Sequence, residues 1–172
     1  NSGQIDTIQN KPLVLPIDSS KFTITSYFKE ERVIYGKANV HSAWDFAAGA
    51  QTEVKSACAG KVITVSFPYS SNTPNPNDGA GGNHIKVQCE GEDDLSILYA
   101  HLFPNSSKVK VGDTVTQGQV LAGVGTTGNS TGNHLHFQVS RDVNVVDAMS
   151  LVDFSGGKSY APPTINNNIP NV

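Results

Sequence analysis

The stretch Val109-Lys-Val-Gly-Asp-Thr-Val-Thr-Gln-Gly-Gln-Val-Leu121 is the most informative part of the sequence for the fold. Apolar and polar residues alternate along it, and the alternation is interrupted at Gly112-Asp113 and again at Gly118. Glycine beside a small polar residue favours a tight turn between strands. The stretch therefore predicts short strands joined by two tight turns.

This pattern resembles the hammerhead of biotinyl and lipoyl carrier domains, which implies a small β-sandwich. A carrier domain would show a modifiable lysine at an exposed hairpin tip, flanked by Met or Asp-Ala. No lysine in this sequence has that setting. The pattern therefore indicates a fold but not a carrier function.

The rest of the chain continues the β pattern. Short β-prone runs separated by turn signals occur at 22–27, 61–67, 85–88, 95–99, 109–111, 120–124 and 134–139, and only 145–152 suggests a helical turn or two. Such close spacing, without helix-length periodicity between the runs, favours antiparallel β structure over α/β. We predict a mainly β fold with an antiparallel sheet or sandwich core and few short helices.

Length and charge limit the other possibilities. The 172 residues suit one domain, and the net charge of −3 gives no basic patch for nucleic acid. No apolar run approaches the roughly 20 residues that span a bilayer. We expect an irregular N-terminal arm at 1–21, one domain at 22–154, and a Pro/Asn-rich tail or linker at 155–172, leading to additional domains in a longer parent protein. The start at Asn1 indicates a mature product or an excised domain.

The two cysteines, Cys58 and Cys89, are too few for a disulfide scaffold or a structural zinc cage. If the flanking apolar runs pair as an antiparallel hairpin, the numbers of opposed residues sum to about 147, which places the cysteines side by side. This arrangement favours a disulfide. Two buried free thiols remain the alternative.

The placement of the histidines carries the chemistry. His41 stands four residues before Asp45, and His134 and His136 are separated by one residue. Residues two apart on a strand project from the same face, so the last two imidazoles point together. Two imidazoles and one carboxylate, with a fourth position left to water, compose a catalytic zinc site, although other transition metals accept the same donors. Incidental, partly exposed histidines are the alternative.

Three motifs together resemble a known family. The motifs are His41-Ser-Ala-Trp-Asp45, Tyr99-Ala-His-Leu102 and Gly128-Asn-Ser-Thr-Gly-Asn-His-Leu-His-Phe137. In order and spacing they are similar to the signatures of the lysostaphin-type (LytM-like) zinc metalloendopeptidases, which hydrolyse peptidoglycan. Ile24-Thr-Ser-Tyr-Phe28, followed by Arg32, looks like the entry strand of that family. The resemblance runs from about residue 22 to residue 154.

The resemblance implies roles for five residues. His41, Asp45 and His136 would bind one zinc ion per chain, and His101 and His134 would form the catalytic pair. The sequence leaves open which of the pair is the base. His84 matches no catalytic position, and Trp44 is expected in the core.

The resemblance also implies a narrow groove in a barrel-sandwich-hybrid-like fold, with candidate walls at 29–40, 68–83, 103–108 and 126–133. Asn133, Gln138 and Ala43 depart from the family pattern, which affects loop shape and the surroundings of the ligands rather than the ligands themselves.

The function implied is zinc-dependent endopeptidase activity on bacterial peptidoglycan, in a stem peptide or a cross-bridge, through zinc-activated water. The partner would be the peptidoglycan peptide, and the location extracellular or in the cell envelope (cell wall or periplasm). A catalytically silent cell-wall-binding or regulatory module of the same fold is the alternative. Which peptide bond is cut stays open.

Overall fold

The computed structural model describes residues 11–78 and 81–154. Within these ranges the chain forms twelve strands and one short 3₁₀ helix. The strands are β1 Thr23–Ser26, β2 Glu31–Ile34, β3 Lys37–Val40, β4 Trp44–Ala47, β5 Glu53–Lys55, β6 Gly60–Ser66, β7 His84–Cys89, β8 Leu95–Ala100, β9 Thr114–Val115, β10 Val120–Gly123, β11 His134–Arg141 and β12 Asn144–Val146, and the helix is Ala148–Leu151.

Seven strands form the main sheet in the order β1-β4-β11-β8-β7-β6-β9, and β12 pairs with the far end of β11. Strands β5 and β10 form a second small sheet, and β2 and β3 form a separate hairpin. Every strand pair described is antiparallel. The prediction of a mainly antiparallel β fold is confirmed.

The main sheet has one face in the core and one face toward the functional residues. In β11, Leu135, Phe137 and Val139 are fully buried, whereas His134 and His136 lie on the opposite face and are partly exposed. The alternation follows from the two-residue period of a strand. The core face of the main sheet packs against the β5–β10 sheet, which adds Val54, Leu121 and Ala122 to the same apolar cluster.

The two predicted turns are present. Gly112 and Gly118 have φ of +95° and +87°, and the turns close through hydrogen bonds from Asp113 N to Lys110 O and from Gln119 N to Thr116 O. Residues 109–111, expected as a strand, are irregular instead. The strands after the turns do not pair with each other, because β9 pairs with β6 and β10 pairs with β5.

The segment 29–40, expected as a loop, is the β2–β3 hairpin. Its turn is Tyr35-Gly36, and both residues have positive φ, at +48° and +78°. Two-residue hairpin turns whose central residues both have positive φ match the twist of the flanking strands. The groove wall at this position is therefore a regular hairpin.

The disulfide between Cys58 and Cys89 is confirmed, with a Cα–Cα distance of 5.7 Å. The expected register is wrong by two residues, since Val62 faces Val87, and a bulge between Val62 and Thr64 shifts the rest of the ladder by one more. Cys58 lies just before β6, and Cys89 is the last residue of β7.

The described part of the N-terminal arm packs against the domain. Leu13 and Ile17 are buried in the core, and Leu13 forms a parallel bridge with Val152. Residues 155–172 lie outside the described residues, and the domain boundaries stay a prediction. No helix in the described ranges is long and apolar enough to cross a membrane.

Tyr99 lies on the core face of β8, where it is fully buried. Its hydroxyl accepts a hydrogen bond of 2.8 Å from the buried backbone N–H of Ala57. Burial raises the pKa of the Tyr99 phenol, so the group stays neutral. The hydroxyl therefore ties β8 to the segment between β5 and β6.

Reduction of the disulfide should destabilise the domain. The bond closes a loop across a sequence separation of 31 residues, and removing such a constraint costs about 2–4 kcal/mol of unfolding free energy. Denaturant unfolding with and without reductant measures the loss. The double variant Cys58→Ser/Cys89→Ser should show the same loss and no response to reductant. An unchanged midpoint in a sample whose thiols are fully alkylated after reduction would contradict the expectation.

Replacing Tyr99 with Phe should lower the unfolding free energy by about 1–3 kcal/mol, because the buried N–H of Ala57 loses its acceptor. Chemical denaturation followed by circular dichroism measures the change. Tyr27→Phe is the matched control, since no hydrogen bond of the Tyr27 hydroxyl is found among the described residues, and its effect should stay within about 0.5 kcal/mol. Equal effects of the two substitutions would show that the Tyr99 hydroxyl is not the cause.

Candidate metal centre and active site

Three neighbouring strands bring the predicted site residues together. In the sheet register, His136 of β11 lies opposite Asp45 of β4 on one side and Ala100 of β8 on the other. His101 follows directly after β8, and His41 lies between β3 and β4. The site therefore depends on the hydrogen-bonded ladder of the main sheet.

His41, Asp45 and His136 form a compact triangle of possible ligand atoms. The distances are 3.1 Å from His41 Nε2 to Asp45 Oδ1, 3.3 Å from His136 Nδ1 to Asp45 Oδ1, and 3.4 Å from His41 Nε2 to His136 Nδ1. Ligand bonds of 2.0–2.2 Å in a tetrahedral arrangement place ligand atoms about 3.3–3.6 Å apart. The three interatomic distances are thus close to the ligand–ligand distances of a tetrahedral zinc site.

Asp45 Oδ1 gives a second test of the fit. Among the described residues, Asp45 Oδ1 is the buried side-chain N or O atom that makes no hydrogen bond. Its short contacts with the two imidazoles do not have hydrogen-bond geometry. A buried carboxylate oxygen without a partner is unfavourable. A cation between the three atoms would supply the missing interaction, so the residues fit a metal ion.

The carboxylate is charged. Burial by itself would raise the pKa of Asp45, but the side chains of His136 and His41, when they donate or carry a proton, outweigh this and hold it well below its usual value. Arg32 Nη1 also lies 3.1 Å from Oδ2 of the same carboxylate. Oδ2 is therefore paired with a guanidinium, while Oδ1 faces the two histidines.

Hydrogen bonds on the far side of each imidazole orient the ligand nitrogens. His41 Nδ1 lies 3.2 Å from the carbonyl oxygen of Tyr27, and His136 Nε2 lies 3.1 Å from Gln138 Oε1. The Ser42 hydroxyl donates to the same Gln138 oxygen at 2.8 Å. A ring nitrogen beside an oxygen acceptor carries the proton, so the other nitrogen presents its lone pair to a metal.

His101 and His134 form a second pair beside the triangle, with ring centroids 4.7 Å apart. His101 Nδ1 lies 2.7 Å from Thr127 O, and His134 Nδ1 lies 2.8 Å from Gly132 O. Each Nδ1 therefore donates to a carbonyl, which leaves each Nε2 able to accept a proton.

Both imidazoles of this pair are neutral near pH 7. Burial, assisted by the neighbouring histidines, lowers the pKa of His101 to about 3. Burial also lowers the pKa of His134, although the Asp45 carboxylate opposes the shift. Both imidazoles therefore have an unprotonated ring nitrogen near pH 7.

His101 has an unusual backbone. Its φ of +60° lies in the left-handed region that non-glycine residues seldom adopt. Its backbone N–H donates to Gly81 O at 2.8 Å, while its side chain is held by Thr127. Strained residues of this kind persist only where the surrounding structure fixes them, and they cluster at functional sites.

A groove of about 490 Å³ is lined by three of these residues, His41, His101 and His136. Three of the four expected walls contribute to its lining, namely 29–40, the described part of 68–83, and 126–133, but no residue of 103–108 does. The fourth segment instead bonds to β10, through Phe103 N to Gly123 O and Lys108 N to Leu121 O.

The predictions for Trp44 and His84 have different outcomes. Trp44 is a core residue, as expected, with its indole N–H donating to Asp147 at 2.7 Å. His84 begins β7, but it also lines the groove, which the sequence did not predict. Its alternation with the buried Ile85 on a strand is the signal that could have placed it on the groove face.

Comparison with known proteins agrees with this geometry. The model of peptidase family M23 matches residues 39–148. The peptidoglycan DD-endopeptidase ShyB of Vibrio cholerae is 35% identical over 137 residues, which cover 78% of this chain and 29% of ShyB. Lysostaphin of Staphylococcus simulans is 34% identical over 99 residues, covering 58% of this chain and 18% of lysostaphin. The chain thus spans less than a third of the length of these curated relatives.

Two solved structures share the fold. A zinc-containing peptidase from Vibrio cholerae superimposes with a TM-score of 0.65 and 33% identity, covering 81% of this chain and 40% of that one. The catalytic domain of lysostaphin from Staphylococcus simulans superimposes with a TM-score of 0.60 and 28% identity, covering 74% of this chain and 90% of that one. With the match to the family model and the arrangement of the five motif residues, these likenesses show that the chain belongs to peptidase family M23, the lysostaphin-type metallopeptidases.

Proposed function

We propose that this chain is a zinc-dependent endopeptidase that hydrolyses peptide bonds in bacterial peptidoglycan, in a stem peptide or a cross-bridge. The observation that carries the proposal is the ligand triangle around the unpaired oxygen of Asp45, with a neutral histidine pair beside it. The substrate class is supported by the names of the relatives, a peptidoglycan DD-endopeptidase and lysostaphin.

His41 Nε2, Asp45 Oδ1 and His136 Nδ1 are proposed to hold one zinc ion. When bound there, zinc would supply Lewis acidity toward a peptide carbonyl and would lower the pKa of a water molecule to about 7. His41 and His136 keep their ligand nitrogens unprotonated through their bonds to Tyr27 and Gln138.

His101 and His134 are proposed as the catalytic pair. Each has Nδ1 fixed on a carbonyl and Nε2 available, so each can accept a proton and, once charged, donate it to a leaving amine or to a developing oxyanion. Because neither imidazole can rotate without losing its backbone hydrogen bond, both are held in place before substrate arrives. Such preorganisation is the main contribution that a protein makes to this kind of chemistry.

The groove supports an extended peptide as the substrate. Its lining includes Asn39, Ser42, Asn129 and Gln138, whose amides and hydroxyl offer both donors and acceptors to a peptide backbone. Bacterial peptidoglycan offers such peptides in its stems and cross-bridges, which places the proposed site of action outside the cell or in its envelope. Additional domains of a longer protein would direct the domain to the wall.

The proposal is tested by metal analysis and by digestion of purified peptidoglycan followed by mass spectrometry. We expect one zinc per chain and new peptide termini, which disappear after chelation and return when zinc is added. The mass of the products identifies the bond that is cut. Zinc binding without cleavage of walls of several chemotypes would favour the wall-binding module, and a folded sample that binds no zinc would refute the ligand assignment.

The roles of the histidine pair are tested by His101→Asn and His134→Asn. Asparagine tolerates the positive φ of residue 101, and its amide can still donate to Thr127 O or Gly132 O, but it lacks the proton-accepting Nε2. We expect each variant to keep stoichiometric zinc and to lose about 10²- to 10⁴-fold in turnover.

His84→Asn is the matched control. His84 also lines the groove and also has Nδ1 on a carbonyl oxygen, that of Gly82 at 2.9 Å. Its turnover should change far less than that of the other two variants. Loss of zinc from both catalytic-pair variants would mean that ligands and catalytic residues have been assigned the wrong way round.

A further inference from the structure

The Ser26 hydroxyl lies at a junction next to the proposed metal ligands. Ser26 is the last residue of β1, and it is buried. Its Oγ contacts a carboxylate oxygen of Glu30, lies 2.8 Å from Arg32 Nη1, and lies 3.0 Å from His41 Nδ1. A serine hydroxyl has one donor and two acceptor positions, so three partners use its full capacity.

The chemistry of the partners fixes the direction of each bond. A guanidinium can only donate and a carboxylate can only accept, so Arg32 donates to Ser26 and Ser26 donates to Glu30. The remaining lone pair of Ser26 can only accept, which places a proton on His41 Nδ1. The Tyr27 carbonyl on the same nitrogen requires the same proton. His41 Nε2 is thereby left with its lone pair toward Asp45 Oδ1.

Arg32 extends the junction to a second ligand. The same Nη1 that contacts Ser26 lies 3.1 Å from Asp45 Oδ2, and the carboxylate is buried while the guanidinium is partly exposed. Because Oδ2 is held by Arg32, the Asp45 side chain cannot rotate freely, and Oδ1 points into the triangle. The hydroxyl of one serine thus connects to His41 directly and to Asp45 through one guanidinium.

We infer that Ser26, anchored by Glu30, is a positioning residue that sets the tautomer of His41 and, through Arg32, the orientation of Asp45 for metal binding. The inference rests on the proposed function, because it concerns the zinc ligands named there. Ser26, Glu30 and Arg32 all precede residues 39–148, the segment that the family model matches.

Loss of the hydroxyl should disturb both ligands at once. Without the hydroxyl, His41 Nδ1 keeps the Tyr27 carbonyl as its one acceptor among the described residues. Glu30 and Arg32 lose their shared hydrogen-bond partner and can then pair with each other. Direct pairing would draw the guanidinium away from Asp45 Oδ2 and would allow that carboxylate to rotate. Partners that orient metal ligands typically contribute about 10- to 100-fold to metal affinity.

The test compares Ser26→Ala with Ser26→Thr in the full chain. Zinc dissociation constants are measured by competition with a chromophoric chelator, and the absorption spectrum of the cobalt(II)-substituted protein reports ligand geometry. We expect Ser26→Ala to weaken zinc binding by about 10- to 100-fold and to change the cobalt spectrum. Ser26→Thr, which keeps a hydroxyl at this position, should restore both toward the wild-type values.

Ser56→Ala is the matched control, because Ser56 is equally buried but its hydroxyl donates to Cys58 O, outside the groove. This variant should keep the wild-type zinc affinity and cobalt spectrum whatever stability it loses. Equal losses of zinc affinity in Ser26→Ala and Ser56→Ala would overturn the inference, since they would show a general loss of stability.

Arg32→Met tests the second branch of the junction. If Ser26 acts on Asp45 through Arg32, the double variant Ser26→Ala/Arg32→Met should bind zinc with less loss than the product of the two single losses. Independent, multiplicative losses would overturn the link between the two residues. Wild-type zinc affinity in Ser26→Ala would overturn the inference but leave the proposed function intact. Zinc binding without peptidoglycan cleavage by the wild type would overturn the proposed function but leave the inference on metal binding intact.

Discussion

Asp45 places a charged carboxylate on β4, an interior strand next to the edge of the main sheet, where it is only 5% exposed. A buried charge is destabilising by several kcal/mol unless partners surround it. Arg32 satisfies Oδ2, but Oδ1 has two imidazoles nearby and no hydrogen bond. His41 and His136 both turn a ring nitrogen toward this atom. The fold carries an unfavourable group whose natural complement is a cation.

The sheet explains how such a group can be tolerated. Each of β4, β8 and β11 alternates between the core and the groove, so the apolar residues that stabilise the domain are covalent neighbours of the residues that line the site. Phe137 is fully buried between His136 and Gln138, for example. The ladder register that places His136 opposite Asp45 is therefore maintained by core packing, since a slip of one residue would expose Phe137 and bury the histidine.

Local spacing made the clustering of His41, Asp45 and His136 predictable, whereas the long-range pairing of strands was not predictable. Two histidines separated by one residue share a strand face by geometry alone, and the three motifs identified the family.

Residues 109–111 alternate like a strand, but alternation does not supply a ladder partner. The β6–β7 register depends on a bulge after Val62, which no composition signal marks. The contact between Arg32 and Asp45 requires the β2–β3 hairpin to fold back over β4, and its Tyr35-Gly36 turn lacks the usual Asn-Gly or Asp-Gly signal.

Two of the groove walls and His101 are coupled through hydrogen bonds, so a movement of the walls also moves His101. The carbonyls of Gly81 and Thr127, which hold the strained His101, belong to two different wall segments, 68–83 and 126–133. These walls touch at Gly82 and Gly128, where a Cβ on Gly128 would lie 2.5 Å from the Gly82 nitrogen. A side chain at either glycine would push the walls apart, and the two carbonyls would move with them. Substitutions can therefore reshape the proposed substrate groove only at positions away from this contact, because a change at the contact would also displace the proposed catalytic histidine.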